Sequence, residues 1–177
     1  MLLSFDQFNI QPVHEKDYWN LCNFAVANED RLRAFFPLTL AQNLTPELSK
    51  FFAEKKAKQF QEKTEFLYTI KEKEKKGLVG LVYIKELDWT IQQGEFAYCI
   101  GYEYEGKGII STSIKQLTQH AFENLGLKTL QIIAHESNLA SIKVAEKNDF
   151  IWKKTLLKSY TPPNGEPMDM ELYELSI

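Results

Sequence analysis

The chain has 177 residues, 44% of them hydrophobic and 25% charged, a size and balance that fit one globular core and exclude a disordered tail, a fibrous repeat or two full domains. Its 21 basic against 24 acidic side chains leave a net charge of −3; the basic footprint that holds a phosphate backbone is missing, and nucleic acid is excluded as the expected partner. Cys22 and Cys99 form neither a disulfide framework nor a metal-ligand spacing, so no metal is expected. No window approaches the ~20 apolar residues of a membrane span, and the acid at Asp6 speaks against a secretory leader. A cytoplasmic protein without a membrane partner is the expectation.

Residues 3–13 carry Phe5, Phe8, Ile10 and Val13 in partial alternation and predict a first strand, closed by Pro12. From Lys16 the spacing of Tyr18, Leu21, Cys22, Ala25 and Val26 is helical. Residues 28–43 mix charge and aromatics with neither period, which predicts a long loop or a broken helix of the kind that often carries function. Thr45-Pro46 opens a helix running to about Gln61, because the Thr hydroxyl caps free amides and Pro loses nothing at the first helical position. Between Lys50 and Lys76 nine lysines face five glutamates; this reads as a solvated helix face and hairpin tip.

Residues 66–70 and 78–84 are β-branched and aromatic runs joined by KEKEKKG, an antiparallel hairpin with a charged tip, and 95–100 is a further strand. Ile110, Ile114, Leu117, Ala121 and Leu125 recur at helical steps until Gly126. A strand at 128–134, a helix at 138–147 and a closing hairpin of 150–160 and 168–175 around PPNGEP complete the order β, α, α, β, β, β, α, β, α, β, β. The class is α/β, a mixed sheet covered by helices in a single domain spanning 1–177.

The stretch 101–117 carries the chemistry. A strand leads through Glu105-Gly106-Lys107-Gly108 into an amphipathic helix, and such a junction presents unpaired amides and the positive end of the helix dipole, a geometry that attracts phosphate. Glycine lets a phosphate oxygen approach the backbone where a Cβ would obstruct it or forbid the dihedrals. Gly101 to Lys107 also matches the opening of a nucleotide P-loop, yet the magnesium-binding Ser or Thr that should follow is Gly108, and no later apolar strand ends in a magnesium-binding Asp. A P-loop nucleoside triphosphatase is therefore set aside.

A strand ending in Gly101-Tyr102, then YEGKGI, a helix closing in AFENLGL, a strand, and NxASIxVxEKxxF from Asn138 to Phe150 resemble the GNAT superfamily of acetyl-CoA-dependent N-acetyltransferases. The pattern is most similar to the RimJ/RimL-type branch, whose named members acetylate N-terminal amines of ribosomal proteins. The match covers Glu95 to Phe150. The resemblance implies the GNAT fold, a splayed, mostly antiparallel sheet flanked by helices, in which the strand at 94–103 opens away from that at 128–134 and acetyl-CoA, the co-substrate, enters the wedge. Its pyrophosphate would lie on the amides of Glu105, Gly106, Lys107, Gly108, Ile109 and Ile110, and its pantetheine would pair with the backbone of Ile100, Gly101 and Tyr102 like an added strand. The chain departs from the family at Glu105, where Gln or Arg is usual, at Ile110, where the residue is usually small, and at Asp149, where many relatives have Gly before the Phe.

The resemblance further implies direct attack of an amine on the thioester, which needs an oxyanion site and a proton for the departing thiolate. Cys22 and Cys99 then belong to the core. The Tyr that many members carry on the last helix is Ala145 here, so Ser141 is the candidate acid, while Asn138 both caps the helix and reaches the pantetheine. The Glu that some relatives carry on the preceding strand is Ile133, which leaves Glu95, acting through water, and His135 as candidate bases. The segment 28–43 would cover the acceptor with Arg31, Arg33, Phe35 and Phe36, facing Tyr160, Glu166 and Asp169 of the closing hairpin. Aromatic rings and acids suit a cationic amine, and the arginines suit a carboxylate or peptide carbonyls, a mixture that favours a peptide N-terminus over a small amine such as a polyamine. A non-catalytic acyl-CoA-binding module is the alternative from another class, kept open by Ile133 and Ala145. Monomer and homodimer are equally compatible with the sequence.

Overall fold

The computed structural model describes residues 3–163 and 165–177; Met1, Leu2 and Asn164, the last inside the predicted PPNGEP turn, lie outside the described residues. The chain divides into two compact units, one reaching to Tyr83 and including Tyr98–Ile110, the other comprising Ile84–Ala97 and Ser111–Ile177.

In the first unit β1 (Leu3–Phe5) and β2 (Phe8–Pro12) form an antiparallel hairpin, with Leu3 opposite Ile10 and Phe5 opposite Phe8. The single strand expected over 3–13 is thus broken at Asp6, whose φ of +43° makes the turn. The alternation was only partial because Phe5 and Phe8 belong to two strands facing each other. β2 runs antiparallel to β3 (Phe66–Glu72), Ile10 opposite Ile70, and β3 adjoins β4 (Leu78–Asp88). Both strands are buried on both faces over Phe66–Ile70 and Val79–Tyr83, which is why they read as apolar runs without alternation.

Among the described residues, four α-helices precede β3 in this unit. α1 (Tyr18–Ala27) is followed by α2 (Glu29–Phe35) and α3 (Pro37–Ala41), the broken helix expected over 28–43. The second break has a local cause, since Pro37 drives the preceding Phe36 out of helical geometry, to φ −135° and ψ 52°. α4 (Pro46–Glu62) starts as the sequence indicates, with Thr45 Oγ1 accepting from the Leu48 amide at 3.3 Å. Its Ser49, Phe52, Ala53 and Ala57 are buried at helical spacing, against α1 and β3. Leu21, Leu32, Leu67, Ile70 and Leu81 are all at most 1% exposed, each contributing roughly 1.5–3 kcal/mol by burial.

The second unit is built on β6 (Thr129–Ala134). The first half of β5 (Gln93–Ile100) pairs with it in parallel, from Gln93 opposite Thr129 to Phe96 opposite Ile132. On its other side β6 runs antiparallel to β8 (Met168–Ser176), which pairs antiparallel with β7 (Ile151–Tyr160) through two irregular stretches. α5 (Ile109–His120) continues into one wide π turn, Ala121–Leu125, and α6 (Leu139–Lys147) follows β6. Ile114, Leu117 and Ala121 of the predicted stripe are fully buried. After α6, Asp149 holds φ at +63°, a left-handed conformation that Asp tolerates better than most residues. Behind it the Phe150 amide returns to the Ala145 carbonyl at 3.1 Å, and the Phe150 ring meets Phe96 edge-on at 6.3 Å.

The strand order is β1-β2-β3-β4-β5-β6-β8-β7. This eight-stranded, mostly antiparallel sheet flanked by helices is the expected mixed α/β architecture. No described helix is long and apolar enough to cross a membrane.

Candidate functional site

The glycine junction lies in the first unit. β5 ends at Ile100, and a 3-10 turn over Tyr102–Tyr104 intervenes before the loop, so the strand does not run straight into Glu105 as the sequence suggested. Gly106 and Gly108 then take φ of +72° and +75°, left-handed values, and α5 begins at Ile109. Nothing stands within 4 Å of where a Cβ would be placed on either glycine, so the chain alone requires glycine here for its dihedrals rather than for space. The Gly106, Lys107 and Gly108 amides take no part in a backbone hydrogen bond among the described residues, and the three residues are exposed. The Glu105 amide differs, because it donates to the Tyr102 carbonyl at 3.3 Å. Lys107 Nζ sits 5.4 Å from the Tyr104 ring centre, and that ring packs edge-on against Phe8 at 6.2 Å.

The backbone leading into this loop is held from several sides. The Gly101 amide donates to Val79 O at 2.8 Å and the Tyr104 amide to Gly101 O at 3.0 Å. The Tyr102 amide donates to Asn28 Oδ1 at 2.9 Å, while Asn28 Nδ2 donates to Phe24 O at the same distance. Arg31 of α2 donates from Nη1 to Ile100 O at 2.9 Å, pairs through Nη2 with Glu105 Oε2 at 2.5 Å, and lies 4.9 Å from the centre of the Tyr102 ring. For strand addition along Ile100–Tyr102 the Ile100 and Gly101 carbonyls each retain a second lone pair.

The residues expected around an acceptor are used unevenly. The guanidinium of Arg31 is committed to the loop just described. Arg33 is exposed and pairs with Glu29 one helical turn back. Phe36 stacks on Tyr83 at 6.2 Å and 19°, a packing contact, whereas Phe35 is 55% exposed. Tyr83 also shares a hydrogen bond with Thr39 at 3.1 Å. Cys99 is buried, and burial pushes its thiol up to about 12; a thiol held protonated at neutral pH is a core group.

In the second unit Asn138 caps α6, its Oδ1 accepting from the Ser141 amide at 3.2 Å, so the two residues share the first helical turn. Ala145, at the position where relatives carry Tyr, is fully buried. Glu95 pairs through Oε1 with Lys85 at 2.8 Å, and that ammonium competes for one of the two oxygens a base would use. His135 Nδ1 lies 2.7 Å from Ser137 Oγ. Tyr160 ends β7 opposite Met168, and the Lys158 amide donates to Asp169 Oδ1 at 2.7 Å. Glu166 is exposed.

Two contributions escaped the sequence reading. Asn28, only 7% exposed, stands in the sequence at the edge of a segment without period, and its partner Tyr102 lies 74 residues onward. Glu105 carried a signal, since an acid in a phosphate-attracting turn calls for a cation nearby, but no spacing rule points to Arg31 as its source.

Residues 7–151 match the family described as Acetyltransferase (GNAT) domain. The chain is 33% identical over 98 residues to "Putative ribosomal N-acetyltransferase YdaF" of Bacillus subtilis (strain 168), a match that takes in 55% of this chain and 53% of that protein. It thus spans about half the length of this curated relative. Among solved structures, a ribosomal-protein-S5-alanine acetyltransferase from Vibrio fischeri superposes with a TM-score of 0.90 at 19% identity, covering 99% of this chain and 96% of that one. RimL, a ribosomal L7/L12 alpha-N-protein acetyltransferase in complex with coenzyme A, gives 0.92 at 17% identity, covering 100% and 98%. At such identities the two structures speak for the fold, and the match over residues 7–151 speaks for the lineage. The chain belongs to the GNAT acetyltransferase family.

Proposed function

We propose that the protein is an acetyl-CoA-dependent N-acetyltransferase, a single catalytic domain of the cytoplasm, acting on the free N-terminal amine of a peptide or protein. The observation that carries this reading is the pair of left-handed glycines, Gly106 and Gly108, whose exposed amides precede a twelve-residue helix. The residues present fit an anionic cofactor. The amides of Gly106, Lys107, Gly108, Ile109 and Ile110 hold its pyrophosphate at the positive end of α5, and the Glu105 amide, already donated within the turn, contributes less. The pantetheine amide donates to the second lone pair of the Ile100 or Gly101 carbonyl. The coenzyme A in the RimL structure supports the same donor.

Bound acetyl-CoA supplies an activated acyl group as a thioester. The neutral amine attacks its carbonyl carbon, the C–N bond forms, the C–S bond breaks, and the sulfur leaves as a thiol once protonated. Asn138 offers Nδ2 to the pantetheine while Oδ1 caps α6, and Ser141 supplies the proton to the sulfur. Glu95 accepts the amine proton through water on Oε2, the oxygen that Lys85 does not hold. On the acceptor side, exposed Phe35 and Arg33 suit a peptide carrying carbonyls and an α-amine, and the names of the relatives point the same way.

The test is a thiol-release assay with acetyl-CoA in which short peptides with free N-terminal Ser or Ala compete with spermidine at equal concentration. The expected outcome is faster acetylation of the peptides. Faster acetylation of spermidine overturns the peptide reading, and tight coenzyme binding without thiol release from any amine points to an acyl-CoA-binding module instead.

A further inference from the structure

Glu105 opens a turn that favours anions and is itself an anion. Its carboxylate is 49% exposed, yet one of its oxygens lies 2.5 Å from Arg31 Nη2. The same guanidinium donates to Ile100 O at 2.9 Å and covers the Tyr102 ring at 4.9 Å, so its planar fork spans both ends of the segment 100–105. The Arg31 side chain is only 18% exposed. α2 is anchored beside this segment by Asn28, which receives the Tyr102 amide at 2.9 Å and is tied back to α1 through Phe24 O.

We infer that Arg31 is a positioning residue for coenzyme binding: it holds the Glu105 carboxylate and cancels its charge, so that the exposed amides of 106–108 present a net attractive site to a diphosphate. The inference rests on the proposal that this loop binds coenzyme A. It gives Arg31 a role on the coenzyme side, distinct from reading an acceptor. Without the guanidinium, the Glu105 carboxylate is an uncompensated negative charge beside a dianion, and the repulsion is large enough at surface dielectric to weaken binding about tenfold. Arg31→Gln is the variant of choice, because Gln keeps a donor for Ile100 O while removing the charge.

Coenzyme A affinity is measured by calorimetry for the full chain, Arg31→Gln, and the double variant Arg31→Gln/Glu105→Gln, with thermal melts alongside. The expected result is a loss of about tenfold in the single variant, smaller at high salt, and recovery to within about threefold of the parent in the double variant. A purely structural Arg31 would show no such rescue, so a double variant that binds no better than Arg31→Gln overturns the inference. Should Arg31→Gln fail to fold, Arg31→Lys keeps the charge but not the fork; it is expected to bind within about threefold of the parent, and a tenfold loss with an unchanged melting temperature overturns the inference. A parent chain that does not bind coenzyme A overturns the underlying reading, and this inference with it, which separates the two failures.

Discussion

At Gly106 and Gly108 the residue requirement is conformational. Space for a Cβ is open at both, but φ near +75° at Gly108 costs an L-residue ~1–2 kcal/mol. An exposed loop escapes that cost in the unliganded chain by relaxing to negative φ, and coenzyme binding must then restore the strained form. Gly108→Ala is therefore expected to leave the melting temperature unchanged while weakening coenzyme A binding by roughly 5- to 30-fold, the strain expressed as affinity. Calorimetry showing parental affinity would mean that the bound loop does not use this backbone. The glycine spacing was legible because Gly106 and Gly108 are the residues that tolerate such dihedrals. The guanidinium that answers Glu105 was not, since an ion pair across 74 positions of sequence follows from tertiary packing and leaves no local pattern.

Among the elements, α4 and α5 were legible for different reasons. α4 announces itself through Thr45 and Pro46, a cap and a first-turn proline that work within the segment. α5 announces itself through its apolar stripe, because Ile114, Leu117 and Ala121 all reach the core. The first hairpin was not legible. Asp6 tolerates positive φ, but Asp6-Gln7 lacks the Gly that makes a two-residue hairpin turn conspicuous, and three-residue β1 is too short to show a period of its own. At α6 the cap has a mechanistic use. Asn138 Oδ1 accepts from the backbone of Ser141, so replacing the Ser141 side chain leaves that bond in place. Ser141→Ala is accordingly expected to keep the helix and the KM for acetyl-CoA while lowering kcat at least ~10-fold, the loss of a proton donor. An unchanged kcat would return Ser141 to packing and leave solvent as the acid.

At the scale of the whole molecule, buried groups that ionise only at high pH set the alkaline limit of folding. Burial pushes the Cys99 thiol up to about 12 from an ordinary 9.0 and raises Tyr68 and Tyr83 above their ordinary 10.0. The hydrogen bond of Tyr83 with Thr39 acts in the opposite direction without overcoming burial. The unfolded chain releases these protons from about pH 9 upward, whereas the folded chain retains them until near pH 12. Their contribution is therefore complete below about pH 9 and is lost as pH rises through the folded values. At about pH 10.5 the thiol alone accounts for about 2 kcal/mol of the fall and the two tyrosines together for about 2 kcal/mol more, a large share of the ~5–15 kcal/mol that holds a typical domain folded. Urea unfolding followed by circular dichroism at pH 8 and at about pH 10.5 is expected to show this fall. In Cys99→Ala the fall should be about 2 kcal/mol smaller, because the group whose proton distinguishes the two states is gone. An identical fall in the parent and in Cys99→Ala would mean that the thiol ionises alike in both states and that burial does not govern it.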